Sequence, residues 1–140
     1  VSVSVSVTIS AELRGLLSSL RTLDLEDAVG ETALDAEAFA KRSFEQTPKA
    51  GRAYRRGKSV HVASAGGSFP AIDTGELSRA TKAKRVSAGR WELRFGKTYS
   101  IYLEYGTRHM AARPFVRPTM DYAEERLDKA VRDALRRAGL

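Results

Sequence analysis

The chain has 140 residues, no cysteine and a formal net charge of +7. That length fits one domain able to bury a core of its own, and the absence of thiols excludes disulfides, thiolate catalysis and cysteine-held metals and fits a reducing compartment. No apolar run approaches the roughly 18 residues of a membrane-spanning helix and no secretory pattern opens the sequence, so a soluble protein with no membrane partner is expected.

The charge is unevenly placed. Residues 1–40 carry two basic and seven acidic side chains, a net −5; residues 41–117 carry seventeen and five, a net +12; residues 118–140 carry five of each. A basic middle beside an acidic start suits a surface that meets polyanion, or complementary faces that meet in a homo-oligomer. An ordinary solvated surface accounts for it too.

In chain order, VSVSVSVTI at 1–9 alternates perfectly, the pattern of a strand with one apolar face. It can join its own subunit's sheet, leaving an edge available, or a neighbour's sheet. Ser10 then suits an N-cap, and Leu13, Leu16, Leu17 and Leu20 share one face of a short helix ending near Arg21. A longer helix is expected from about Glu26 to Gln46. Its stripe is Val29, Ala33, Ala36, Ala40 and Phe44, and Pro48 stops it.

Residues 49–74 change character, with four glycines, one proline, five lysines and arginines, His61 and a single acid, Asp73. So long a segment with little regular structure is usually functional or disordered, and it is expected to be an extended basic loop, with SVHVA as a short strand inside it. It is either a floppy surface loop or an arm that orders against a neighbouring subunit or nucleic acid.

Asp73, Thr74 and Gly75 form a turn whose side chains can bond nearby backbone N–H groups, leading into a short helix or extended piece at Leu77 to Arg79. Two strands joined at Ser87 to Arg90 follow, with Trp91, Leu93 and Phe95 alternating with Glu92 and Arg94. Tyr99, Ile101, Leu103 and Tyr105 alternate with Ser100, Tyr102 and Glu104, which predicts a third strand, ended by Gly106 and Thr107. Pro114 and Pro118 hold their predecessors extended, so the last helix is expected no earlier than about Pro118, running from about Thr119 to Ala138. Its apolar face would be Met120, Ala123, Leu127, Ala130, Val131, Ala134 and Leu135. The expected fold class is α+β: an antiparallel sheet of three to five strands packed by the long helix and the C-terminal helix, as a single domain over 1–140.

No catalytic constellation emerges. His61 and His109 lack a second ligand at helical spacing, and His109 with Glu104 is better read as a loop residue beside a strand residue. Asp73 and Glu76 are explained by the turn and the helix start. The sequence holds neither a phosphate loop nor a dinucleotide fingerprint, so no catalytic, metal or cofactor site is expected. Arg52, Arg55, Arg56 and Lys58, with Tyr54 interleaved, can meet phosphates, as can Lys82, Lys84 and Arg85. No sequence-reading motif accompanies them, so any DNA contact would be non-specific.

Three strings, in their order and spacing, carry a family resemblance: Pro70 with Asp73, Thr74, Gly75 and Leu77; Tyr99 with Tyr102, Glu104, Tyr105, Gly106 and Thr107; and Arg113, Pro114, Phe115, Arg117 and Pro118. With the elements around them they cover most of the chain, which resembles the neck or tail-completion (head–tail connector, putative morphogenesis) proteins of tailed bacteriophages. The resemblance implies a non-enzymatic virion component, assembled in the host cytoplasm. It would form a six- or twelve-fold ring at the head–tail junction, with double-stranded DNA crossing the lumen and other neck, connector and tail proteins as partners. The basic loop is where ring contacts or a lumen lining are expected. A tail terminator ring and a non-specific DNA-binding protein are the alternatives. Phe115 is either a core plug under the last helix or an interface anchor. Glu104 pairs with Arg108 or Arg113, bridges to a neighbouring subunit, or simply faces solvent.

Overall fold

A computed structural model describes residues 10–22 and 25–140; the strand expected over 1–9 lies outside them. The elements are α1 (Ala11–Thr22), α2 (Glu26–Gln46), β1 (Ala53–Arg56), β2 (Ser59–Val62), α3 (Glu76–Ala80), β3 (Thr81–Ser87), β4 (Arg90–Phe95), α4 (Ser100–Tyr105) and α5 (Val116–Arg137). The class is α+β. The expected single sheet is, among the described residues, two separate antiparallel hairpins, β1–β2 and β3–β4.

Helix α2 is the middle layer, with α5 on one side and β3–β4 on the other. That position explains why Ala28, Gly30 and Thr32 are buried as well as the anticipated Ala36, Ala40 and Phe44. A helix packed on two sides needs a wider apolar arc than one stripe. Gly30 lies under the Trp91 indole, and a Cβ there would stand 3.1 Å from the ring. The bare backbone lets helix and strand approach closely. Polar ties fix the layers: Asp35 receives Arg126 Nε at 3.0 Å across α2 and α5, and Glu26 receives Arg85 Nε at 2.6 Å. Glu26 also accepts from the Gly89 N–H in the β3–β4 turn. Among the described residues, no helix is long and apolar enough to cross a membrane.

The core centres on Ala40, Phe44 and Phe115, with Phe69, Ile72, Leu77, Phe95, Leu103 and Val116 packed around them. Phe115 is fully buried. Its ring meets Phe95 edge-on at 4.8 Å between centroids and Phe44 at 5.7 Å. Of its two readings, Phe115 is the core plug.

Three expectations are corrected here. Residues 100–105 form helix α4, not a strand. Ser100, Leu103 and Glu104 are the half-buried members of this run, a spacing of three and four that a helix places on one face and a strand would split between two. Helix α5 begins at Val116, with Pro118 inside its first turn. Proline is tolerated there because first-turn N–H groups have no intrahelical acceptor to lose. Finally, Met120 is 56% exposed, and Thr119 takes the inward position instead. Its hydroxyl donates to the Phe115 carbonyl at 2.6 Å, so the inward face starts at the buried Thr119 and continues through the half-buried Ala123 and Leu127.

Candidate interaction surfaces

The segment 49–74, expected to be an extended basic loop, holds the β1–β2 hairpin. Ala53 pairs with Val62, Tyr54 with His61, Arg55 with Val60 and Arg56 with Ser59. Gly57 turns the chain with φ +60°. The ladder continues past the strands through the Ala63 N–H to Arg52 O at 3.0 Å and the Gly51 N–H to Ala63 O at 2.8 Å. Strand alternation puts Arg52, Tyr54 and Arg56 on one side and Arg55 on the other. The Arg52 guanidinium lies 5.4 Å from the Tyr54 ring centroid, a cation–π contact. Arg56 donates to Asp73 at 2.6 Å, and His61 Nδ1 lies 3.2 Å from the same carboxylate. Asp73 therefore ties the hairpin down instead of capping its own turn. Thr74 fills that local role, its hydroxyl accepting from the Glu76 N–H at 3.4 Å, and Gly75 precedes α3 with φ +78°.

The second basic group sits on β3. Arg85 is bound to Glu26, and Lys82 Nζ lies 3.8 Å from Glu37. Burial pushes the Glu37 carboxyl up, but the Ala83 N–H, Lys41 and Lys82 outweigh it and hold the group below its ordinary value. The two basic groups thus lie on different sheets. Among the described residues, Arg52, Arg55, Lys58 and Lys84 have no carboxylate within ion-pair distance and are exposed, whereas Arg56 and Arg85 serve the fold.

The second and third of the strings that carry the resemblance meet at one corner. Glu104, on α4, turns its carboxylate to the start of α5 and accepts from the N–H groups of Phe115 at 2.7 Å, Val116 at 2.8 Å and Arg117 at 3.2 Å. It supplies the cap that the residues just before α5 do not, where donors are unsatisfied and the helix dipole favours negative charge. Of the readings open to Glu104, neither pairing with Arg108 or Arg113 nor a plain solvent-facing residue describes this contact. Gly106 ends α4 with φ +74°, and a Cβ there would stand 2.8 Å from Ala112 N. Thr107 bridges back to Met110. Arg113 is 4% exposed; its Nε donates to Ser64 O at 2.9 Å and its guanidinium also reaches Ala111 O at 3.2 Å. Pro114 leads the chain into Phe115, and Arg117 pairs outward with Asp121 at 3.3 Å.

Between this corner, the hairpin and the 70–78 turn lies a groove of about 590 Å³. Phe44, Ile72, Leu77, Tyr99, Leu103 and Met110 give it apolar walls, with Arg56, His61, Asp73 and Arg113 among its polar groups. Burial, then Glu76 and Asp73, raises the Tyr99 hydroxyl above its ordinary pKa, so it stays a neutral donor. The groove was not foreseen from sequence, although members of all three strings line it.

Two further surfaces are apolar and open. On α4, Ile101, Tyr102 and Tyr105 are 57%, 57% and 79% exposed; on α1, Leu13, Leu16 and Leu20 are 45%, 42% and 40% exposed. Ser10 caps α1 as expected, accepting from the Leu13 N–H at 3.2 Å.

Compared with known proteins, the chain matches no family model, no curated protein and no solved structure.

Proposed function

We propose that this protein is a structural component of a tailed-phage virion. Copies form a ring in the neck, between the portal of the DNA-filled head and the tail, and DNA passes through the lumen. The observation that carries this reading is that the second and third strings meet at one corner while the first lines the groove beside it. At the corner Glu104 caps α5, Gly106 turns the chain, Arg113 ties the loop to Ser64 and Phe115 fills the core. The residues that resemble the neck family thus have a common structural task, which suits a protein whose function is its shape. Two surfaces add support. The exposed Arg52, Arg55 and Lys58 on β1–β2 suit a lumen that meets phosphate without reading bases. The exposed apolar faces of α1 and α4 suit contacts between subunits. In this reading no reaction is catalysed, and the other neck, connector and tail proteins are the partners.

Light scattering across protein concentration and salt, followed by electron microscopy of the large species, tests this reading. Closed rings of six or twelve copies are expected. A monomer whose DNA affinity falls steeply with salt would favour the non-specific DNA-binding alternative.

A further inference from the structure

We propose that α1 of one copy docks in the groove of the next copy. The joint rests on the ring reading above and specifies how its subunits meet. At 3.6 residues per turn, Glu12, Leu16, Leu20 and Leu13 fall within an arc of about 100° on α1, with Arg14 on the opposite side. Leu13, Leu16 and Leu20 stand at i, i+3 and i+7, the anchor spacing of a helix laid in an apolar groove, and all three are exposed. The groove is the matching concavity, walled by Ile72, Leu77, Tyr99, Leu103 and Met110.

Charge is complementary as well. Arg113 lines the groove, is buried and is bonded only to carbonyl oxygens among the described residues. A buried guanidinium is best matched by a carboxylate. Glu12, exposed and on the leucine face, brings one.

The chain's own α1 does not fill the groove: Leu13, Leu16 and Leu20 are exposed, and no described residue of α1 lines it. The occupant assigned is therefore α1 of a second copy. Knob and hole are different surfaces of each copy, so repeated from copy to copy the contact runs head-to-tail, the type that generates rings, whereas a reciprocal exchange would close a dimer.

The absence of cysteine makes the test clean. Leu16→Cys and Met110→Cys proteins are mixed under mild oxidation and run on a non-reducing gel, with Tyr99→Cys as a second groove position. Arg132→Cys is the control, about 24 Å along α5 from Val116. A mixed disulfide dimer, at least tenfold above the control, is expected for the groove positions. The Leu16→Cys/Met110→Cys double variant should give a ladder of covalent multimers. A ladder that stops at dimers supports the docking but overturns the ring. Oligomers by light scattering without the cross-link overturn the docking and leave the ring standing. A monomer without cross-link at every concentration overturns the docking, and one that stays so in the presence of portal complexes overturns the ring as well. Leu13→Ser/Leu16→Ser/Leu20→Ser should weaken association at least tenfold with an unchanged melting temperature, and unchanged association would likewise overturn the docking.

Discussion

Glu104 shows how much of this fold hangs on single polar contacts. One carboxylate satisfies three N–H groups at the start of α5, so Glu104→Ala leaves them without that acceptor in a half-buried setting. A loss of about 2 kcal/mol is expected, measured by urea unfolding; a change below about 0.5 kcal/mol would show that water substitutes freely. Gly106→Ala should cost roughly 1–3 kcal/mol by the same measurement, because φ +74° and the Ala112 backbone both oppose a Cβ. Glu37 sets a pH dependence. Its folded pKa lies below its ordinary value of 4.5, so the unfolded chain binds more protons as pH falls through that value. Its stabilisation is therefore full above 4.5 and is lost as pH drops through the lowered folded value. Glu37→Gln should flatten the fall in stability over that acid window, and an unchanged slope would place the effect elsewhere. Of these contacts the sequence showed the glycine turn, since Gly106 follows an aromatic run. It did not show that Glu104 reaches α5, because that depends on α4 being helical.

At the scale of elements, legibility followed length. The 21-residue α2 has its bounds where the sequence put them, because five turns of apolar periodicity leave little room for another reading. The β3–β4 hairpin follows equally from alternation around Ser87 to Arg90. The six residues of α4 satisfy a two-residue period and a helical one alike, and the contacts of Leu103 and Glu104 decide between them. Hairpin β1–β2 was half legible: SVHV was recognised, but its partner AYRR reads as charge rather than as a strand. Packing between elements was not legible at all. Gly30 looks like a weak point in a helix until Trp91 is found over it. Gly30→Leu should force α2 and β4 apart and lower stability by about 1–3 kcal/mol, seen as a lower melting temperature and a changed tryptophan emission; an unchanged spectrum would mean that the indole had room to move.

For the whole molecule, the division of labour among its basic residues matters more than the net charge. Arg56 and Arg85 are held by carboxylates, while Arg52, Arg55, Lys58 and Lys84 are exposed without one among the described residues. Arg52→Ser/Arg55→Ser/Lys58→Ser should therefore leave the melting temperature unchanged while reducing DNA retention and its salt dependence. Phe115→Ala, which empties the centre of the core, should cost about 3–5 kcal/mol. Particle mass in solution, with images of the particles, is the measurement that decides whether the chain is the ring-forming neck component we propose. Closed rings of uniform copy number are the result predicted. A protein that stays monomeric at high concentration and low salt, alone and in the presence of portal complexes, would contradict it.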